Sequence, residues 1–505
     1  MNFVSKLVNH FKAGYPCIAI LTGEENRAQS DVMAAAKTLG RVVVTWSAGE
    51  GIVNLDVAQR IPDTENLGAA LFTFRADKQE KVVYILRDIH QSPLTSDPIL
   101  ARLLREMITD APTRFCSVVI ISPNFTPYDS IESLVTVMEY SLPSAADFKE
   151  MAKNIAESAP KKVKKATDAV IKALSGLSTT EAENALALSV IETGEFSPET
   201  IYREKVAAVK RSGLLEIIEP NPAGLDSVGG LDNLKSWILK RKKAYSAEAE
   251  KYGLPTPKGV LIIGVSGTGK SLTAKAVGTA LGIPTLKLDI GALFNSLVGE
   301  SEARTRAALK LAEAISPCTL WLDECDKGLA GIGGSGSNDS GVTKRVFGTL
   351  LQWMQDNQKP VFMVATANQV EYLPPEFLRK GRFDEMFTVD LPTQSEREQI
   401  AAVVIKKLKR DPKNFDLSKI AAATQNFTGA EIEAVVGESL FVAFDDNARE
   451  ITTADVVSAA ANIIPIAKTM AEKIEAIRRW GEGRARPAAA QQPQQTQSTT
   501  RKLTV

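Results

Sequence analysis

The sequence predicts an α/β protein of two successive units, each a parallel sheet covered by helices and trailed by a helical segment. Short, nearly continuous apolar runs recur in both halves. They lie at Cys17–Leu21, Val42–Val44, Val82–Leu86 and Val118–Ile121, then at Val260–Ile263, Thr285–Leu288, Thr319–Leu322 and Val361–Ala365. Such runs between helical patterns are typical of strands buried on both faces. A weak internal repeat points to duplication: Val137-Met138-Glu139-Tyr140-Ser141-Leu142-Pro143-Ser144 is echoed by Phe387-Thr388-Val389-Asp390-Leu391-Pro392-Thr393. Likewise, Leu177-Ser178-Thr179-Thr180-Glu181 is echoed by Phe427-Thr428-Gly429-Ala430-Glu431, in the same order and spacing. The third observation is Gly264-Val265-Ser266-Gly267-Thr268-Gly269-Lys270-Ser271, set between the Val260–Ile263 strand and a helical stretch from Leu272 to Leu281.

Two composition shifts and the tail divide the 505 residues. We expect an α/β domain over 1–143 and a helical segment with linker over 144–219. The linker ends at Glu219-Pro220-Asn221-Pro222. A second α/β domain follows over 220–394, then a helical lid over 395–484. The Ala-, Gln- and Thr-rich tail, 485–505, has almost no bulky apolar residues and reads as disordered.

Composition excludes several classes. Lys plus Arg and Asp plus Glu both number 60, so no global field draws nucleic acid or an anionic membrane. Pro160-Lys161-Lys162-Val163-Lys164-Lys165 is one local basic stretch and reads as a solvated face. Two histidines, His10 and His90, leave almost no material for a zinc centre or a His-based triad. The four cysteines, Cys17, Cys116, Cys318 and Cys325, are scattered and read as buried free thiols. No run of about 18 apolar residues spans a bilayer and no signal-peptide core is present, so a soluble, cytoplasmic protein is expected.

The chemistry concentrates in the second half. In a glycine-rich loop between strand and helix, backbone N–H groups turn inward on phosphates and the helix dipole favours negative charge. Lys270 is then expected at the β- and γ-phosphates, with the Ser271 hydroxyl on Mg²⁺. Leu272 opens the helix behind them. Thr319-Leu320-Trp321-Leu322-Asp323-Glu324 is an apolar strand ending in two acids. We expect Asp323 to hold Mg²⁺ and Glu324 to polarise the attacking water. Ala365-Thr366-Ala367-Asn368 ends the next strand and puts Asn368 near the γ-phosphate. Leu378-Arg379-Lys380-Gly381-Arg382-Phe383-Asp384 supplies two arginines three residues apart, at the far edge of the sheet. Arg379 and Arg382 suit the γ-phosphate of a neighbouring subunit, where planar guanidinium forks match phosphate oxygens. The first half lacks these parts. Its first strand ends in Thr22-Gly23-Glu24-Glu25-Asn26, with two carboxylates where phosphates would sit, and its third in Arg87-Asp88-Ile89-His90. It reads as a degenerate copy without catalysis.

Together these residues resemble the AAA module of the AAA+ ATPases over 224–460, a P-loop NTPase fold with a helical lid. The resemblance implies ATP and Mg²⁺ as cofactors, Gly264–Ser271 as Walker A and Asp323-Glu324 as Walker B. Asn368 becomes sensor 1, and Arg379 and Arg382 the arginine fingers. It makes Val228-Gly229-Gly230-Leu231 the adenine-side segment, with Val228 and Gly229 on the nucleotide. Gly429 and Ala430 stand in place of a sensor-2 arginine and pack near the nucleotide. More narrowly, the ordered chain is similar to the AAA proteins encoded in cyanobacterial and algal chloroplast genomes. Three departures stand out. Val265-Ser266 replaces the usual Pro-Pro, and Pro374 replaces an Asp before the fingers. Leu297 stands where polypeptide-threading members carry a pore aromatic, with Phe294 three residues earlier. The glycine-rich loop Gly328–Gly341, with Gly331, Gly333, Gly334 and Gly336, could line that pore or contact a partner.

The expected function is Mg²⁺-dependent ATP hydrolysis by a homo-oligomer, a hexameric ring or spiral, that remodels a protein client. Two alternatives are a nucleotide-controlled assembly scaffold with slow turnover and a nucleic-acid-associated motor or loader. The absence of basic excess and of an aromatic-studded strand face argues against the last.

Overall fold

The structure is a computed structural model that describes residues 3–94, 96–159, 163–291, 300–329 and 340–490. The chain forms two compact units. One comprises residues 1–171 and 177–196, the other 172–176 and 197–505.

The first unit contains β1 (Cys17–Leu21), β2 (Val42–Ser47), β3 (Gly51–Asn54), β4 (Gln59–Ile61), β5 (Val82–Arg87), β6 (Ser117–Ser122) and β7 (Val135–Glu139). Their order across the sheet is β4-β3-β2-β5-β6-β1-β7. The second contains β8 (Glu216–Ile218), β9 (Gly259–Gly264), β10 (Thr285–Leu288), β11 (Cys318–Leu322), β12 (Val361–Ala367), β13 (Glu385–Val389) and β14 (Arg486–Pro487). Here the order is β14-β13-β9-β12-β11-β10-β8. Leaving aside β3 and β4 in the first sheet, and β8 and β14 in the second, each sheet runs fifth–first–fourth–third–second, with all pairs parallel. The same order in both units supports the duplication read from the repeat.

The central strands are apolar throughout because helices cover both faces. In β9, Leu261 and Ile263 enter one core cluster while Val260 and Ile262 enter the opposite one. In β12, Met363, Ala365 and Ala367 face the first cluster, Phe362 and Val364 the second. β1 divides the same way, Cys17 and Ala19 against Ile18 and Ile20. Each fully buried Leu or Ile contributes on the order of 1.5–3 kcal/mol relative to exposure. All four cysteines are buried free thiols, as expected. No helix among the described residues is long and apolar enough to cross a membrane.

Several elements differ from the sequence reading. The hairpin β3–β4 and the antiparallel edge strand β8 were not anticipated, because they are short and their edge residues are polar or half-exposed. Helix Pro198–Ser212, assigned above to the first half, belongs to the second unit, where Val209 and nearby Leu215 join the main core. The lid core contains Ala401, Ile405, Ile432, Val436 and Val456. The last helix, Ala471–Gly481, is no part of it: Ile474 and Ile477 insert into the core of the α/β layer. The tail starts later than expected. Residues Arg486 and Pro487 pair with Phe387 and Thr388 of β13, and Ala488 is fully buried. The Ala488 carbonyl also accepts from Asn233 N and Leu234 N, at the start of helix Asp232–Leu239. Backbone pairing, not side-chain hydrophobicity, orders this stretch, which composition alone does not reveal.

Candidate active site

Three neighbouring strands deliver the site at their carboxyl ends, where ligands bind in open α/β sheets. β9 runs into Gly264–Ser271, β11 into Asp323, and β12 into Asn368. The register sets Leu322 beside Ala365 and Ala367 beside Ile263, so the three loops emerge side by side.

Gly264 admits no side chain, since a Cβ there would lie 2.2 Å from the Val389 carbonyl oxygen. Gly267 and Gly269 take φ of +82° and +88°, left-handed values that glycine adopts without cost. Thr268 Oγ1 donates to Val265 O at 2.7 Å, closing the loop on itself. Lys270 is 5 % exposed, and its ammonium donates to Gly264 O (2.8 Å) and Val265 O (2.7 Å). Burial pushes its pKa down to about 8, against the opposing pull of Asp326, Glu324 and Asp323. Ser271 Oγ donates to Asp323 Oδ1 at 2.8 Å, which brings together the two groups expected on the metal. Leu272 is largely exposed on the first helical turn.

The acidic pair is held by a residue that sequence reasoning missed. Thr366, fully buried on β12, donates from Oγ1 to Asp323 Oδ1 at 2.7 Å and accepts from Glu324 N at 2.9 Å. Glu324 needs that hold because its φ is +47°, a left-handed value costing about 1 kcal/mol or more for a residue with a Cβ. Asn368 Nδ2 donates to Glu324 Oε1 at 3.0 Å. Lys327 Nζ pairs with Glu324 Oε2 at 2.5 Å. The Lys327 bond, aided by Asn368, holds the Glu324 carboxyl below the usual carboxylate range against the effect of burial. Asp326 is 2 % exposed and accepts from Gln369 N at 3.1 Å, tethering the Asn368 loop, and burial raises its pKa. The signal for Thr366 was a polar residue in an otherwise apolar buried strand. Lys327, one turn beyond Glu324, was legible as an i,i+3 partner.

The lid packs on this loop and on the Val228–Leu231 segment. Ala430 N donates to Gly267 O at 3.0 Å, and Thr428 caps the lid helix through Glu431. A Cβ on Gly267 would meet Thr428 Oγ1 at 3.0 Å and Ala430 Cβ at 3.2 Å. Val228 is buried, and Gly229 packs so tightly on Ile400 of the lid that a Cβ would come within 2.6 Å. Gly230 N donates to Gln399 Oε1 at 3.0 Å, and Leu231 N to Glu396 Oε1 at 3.1 Å.

Arg379 and Arg382 are not brought to this cluster. Their segment is tied to the opposite end of β9. Asp384 Oδ2 accepts from Lys258 N (2.9 Å) and Gly259 N (3.1 Å), and Lys258 Nζ donates to Gly381 O (2.7 Å). From Gly259 to Gly264 the strand rises about 17 Å at 3.3 Å per residue. Arg382 itself donates from Nη1 to Glu376 O, and Arg379 is exposed. Phe294, Leu297 and the glycines at 331–336 lie outside the described residues.

The first unit has a counterpart of the loop–lid junction, sealed by its own side chain. Glu24, in the turn after β1, accepts from Thr179 N (2.7 Å) and Thr179 Oγ1 (2.5 Å) at the start of helix Thr179–Thr193. That helix carries a Ser178/Glu181 capping box equivalent to Thr428/Glu431. Arg27 Nε lies 3.3 Å from the same carboxylate. A carboxylate thus occupies the helix N-terminus that faces the first turn.

A cradle of left-handed glycines, a buried lysine and an adjacent hydroxyl–carboxylate pair fits a nucleoside triphosphate with an oxygen-seeking divalent cation. Among the described residues no group of three His, Cys, Asp or Glu could hold a metal alone.

Residues 260–391 match the model of the ATPase family associated with various cellular activities (AAA), and 414–458 match the AAA+ lid domain. Residues 3–140 match the SpoVK-like AAA ATPase N-terminal domain, and 146–212 its second domain. The chain is 37 % identical over 488 residues to the uncharacterized AAA domain-containing protein ycf46 of Guillardia theta, covering 95 % of each chain. It is 34 % identical over 496 residues to the ycf46 protein of Pyropia yezoensis, covering 97 % of this chain and 100 % of that one. The ATP-dependent zinc metalloprotease FtsH of Syntrophobacter fumaroxidans is 34 % identical over 248 residues, 47 % of this chain and 37 % of its own. With a phosphate loop, an acidic pair and a lid on one α/β layer, and full-length similarity to the ycf46 proteins, the chain belongs to the AAA ATPase family.

Proposed function

We propose that the chain hydrolyses ATP with Mg²⁺ as part of a homo-oligomer, a hexameric ring or spiral, and that this turnover remodels a protein client. The observation that carries the proposal is the split site. Ser271, Asp323, Glu324 and Asn368 converge at one end of the sheet, while the segment bearing Arg379 and Arg382 is fastened to the other. An active site lacking its arginines, and arginines lacking a site, fit a protein whose catalytic centre is completed by the next subunit.

In this reading Gly264–Gly269 bind the triphosphate through backbone N–H groups, and Lys270 leaves its two carbonyls for the β- and γ-phosphates. Ser271 and Asp323 would hold Mg²⁺, which when bound neutralises charge on the β- and γ-oxygens. Glu324 accepts the proton of the attacking water, and Asn368 fixes the carboxylate that receives it. Arg379 and Arg382 stabilise the γ-phosphate of the adjacent subunit, and loss of that phosphate changes the packing between subunits. Val228 and Gly229 on one side, and Gly429 and Ala430 on the other, enclose the nucleoside and couple the lid to the loop. The first unit, with Glu24 bound to its own lid-like helix, serves as a platform.

A slow, nucleotide-controlled scaffold is the second reading, favoured by one observation: Lys327 and Asn368 occupy both oxygens of Glu324. Glu324→Gln tests the mechanism; it should bind ATP, fail to turn over and accumulate the assembled state. Hydrolysis at the wild-type rate would remove Glu324 from its role. Capturing a client with that variant, then measuring turnover with and without it, separates remodeller from scaffold. Acceleration supports the first reading, an unchanged rate the second.

A further inference from the structure

The C-terminal helix Ala471–Gly481 reaches the reaction chamber. A cavity of about 200 Å³ opens beside the phosphate loop, walled among others by Ser266, Glu324, Lys327, Asn368 and, from this helix, Lys473 and Ile474. A water molecule accounts for about 30 Å³ of liquid, so the space suits a phosphoryl group with a water in line. Ile474 and Ile477 are 4 % and 8 % exposed and belong to the same core cluster as Val265, Cys325 and Ala367. Those three residues adjoin the phosphate loop, Glu324 and Asn368 in the chain. The helix is therefore packed into the structure that carries the site, and the backbone of Lys473 is placed with it.

The charge around Lys473 points to an anion. Two carboxylates near it, one across the chamber and one two residues on in the helix, are already engaged. Glu324 pairs with Lys327 at 2.5 Å, and Glu475 lies 3.8 Å from Arg478 and 4.0 Å from Arg479. Lys473 forms no ion pair among the described residues. Of the remaining chamber walls, Lys327 is the cation already paired with Glu324, Ser266, Asn368 and Gln369 are neutral and polar, and the rest are apolar. On the lid side Gly429 and Ala430 carry no charge, yet phosphoryl transfer builds negative charge on the transferring oxygens. We propose that Lys473 is a γ-phosphate ligand supplied by the same subunit, from the C-terminal helix and not from the lid. The assignment rests on the reading of Gly264–Ser271 as a triphosphate cradle. It makes Lys473 a discriminator of ATP from ADP before any neighbouring arginine arrives.

The test compares ATP and ADP affinities of the full chain in the Glu324→Gln background, with and without Lys473→Met. A charge-assisted contact to the γ-phosphate predicts ATP binding about tenfold weaker with ADP binding within about twofold. Lys473→Arg, which keeps the charge, should recover most of the ATP affinity. In the otherwise native chain, Lys473→Met should lower kcat. Equal weakening of ATP and ADP would mark a purely structural residue and overturn the assignment, as would no change in either. Hydrolysis by Glu324→Gln at the wild-type rate would instead refute the catalytic reading on its own. Absence of any ATP binding by that variant would remove the cradle and Lys473 with it.

Discussion

Replacing Thr366 by valine removes a buried hydroxyl with almost no change of shape, so it isolates the contribution of two hydrogen bonds. One bond, from Thr366 Oγ1 to Asp323 Oδ1, is charge-assisted at 2.7 Å, and the other is received from Glu324 N at 2.9 Å. A charge-assisted bond contributes about 1.5–3 kcal/mol and a neutral one about 1. Asp323 is half-buried and keeps its bond from Ser271, so water and that hydroxyl offset part of the loss. The expected destabilisation is about 2 kcal/mol, read by urea unfolding against the wild type. The catalytic effect follows from the backbone. Without Thr366, the left-handed Glu324 loses the acceptor of its N–H, and its carboxylate is held only through its side-chain bonds to Asn368 and Lys327. If the same 2 kcal/mol is lost from the transition state, steady-state ATPase falls about 30-fold. Thr366→Ser should restore most of both quantities. Wild-type turnover and unchanged stability for Thr366→Val would refute the role given to this residue.

Further predictions rest on buried charge. Lys270, pushed to about 8 by burial, is charged below that pH and increasingly neutral above it, so binding at higher pH must take up a proton. ATP affinity should fall as pH rises through 8, by at most about tenfold per unit, and a dissociation constant flat from about pH 7 to 10 would contradict this. In the first unit, Glu24→Ala strips Thr179 N and Oγ1 of their acceptor, and should cost about 1–3 kcal/mol in protection of helix Thr179–Thr193, read by hydrogen exchange. Calorimetry should give one nucleotide per chain for the wild type; two would mean that the Glu24 seal opens.

Much of the site was legible because its parts are local in sequence. The phosphate loop and the acidic pair each sit at the end of an apolar strand, and such strands announce themselves when both faces are buried. What escaped depends on register or on distant packing. Thr366 reaches Asp323 only because β12 lies beside β11 with Ala365 opposite Leu322. The amphipathic pattern of Ala471–Gly481 shows that one face is buried but not against what. The chosen partner is the α/β core beside Val265, not the lid that precedes it in the chain. Glu24 stood out in the sequence as a carboxylate in the turn after β1, but its acceptance of Thr179 spans 155 residues and only the fold reveals it. Strands β4, β8 and β14 escaped because backbone bonds, more than buried side chains, hold them at the sheet edges, and β3 because Ile52 is its one fully buried large side chain.

The central claim is that each catalytic centre is shared between two chains, and mixing inactive variants tests it directly. Lys270→Ala lacks a working phosphate loop but keeps its arginines, whereas Arg382→Ala keeps the loop and lacks one finger. Each alone should be nearly inactive. Co-assembled, the loop of an Arg382→Ala chain meets the intact arginine of a Lys270→Ala neighbour. ATPase activity should then reappear, greatest near equal proportions. A mixture as inactive as its components at every ratio, although the two chains are shown to co-assemble, or full activity in Arg382→Ala alone, would contradict the shared site.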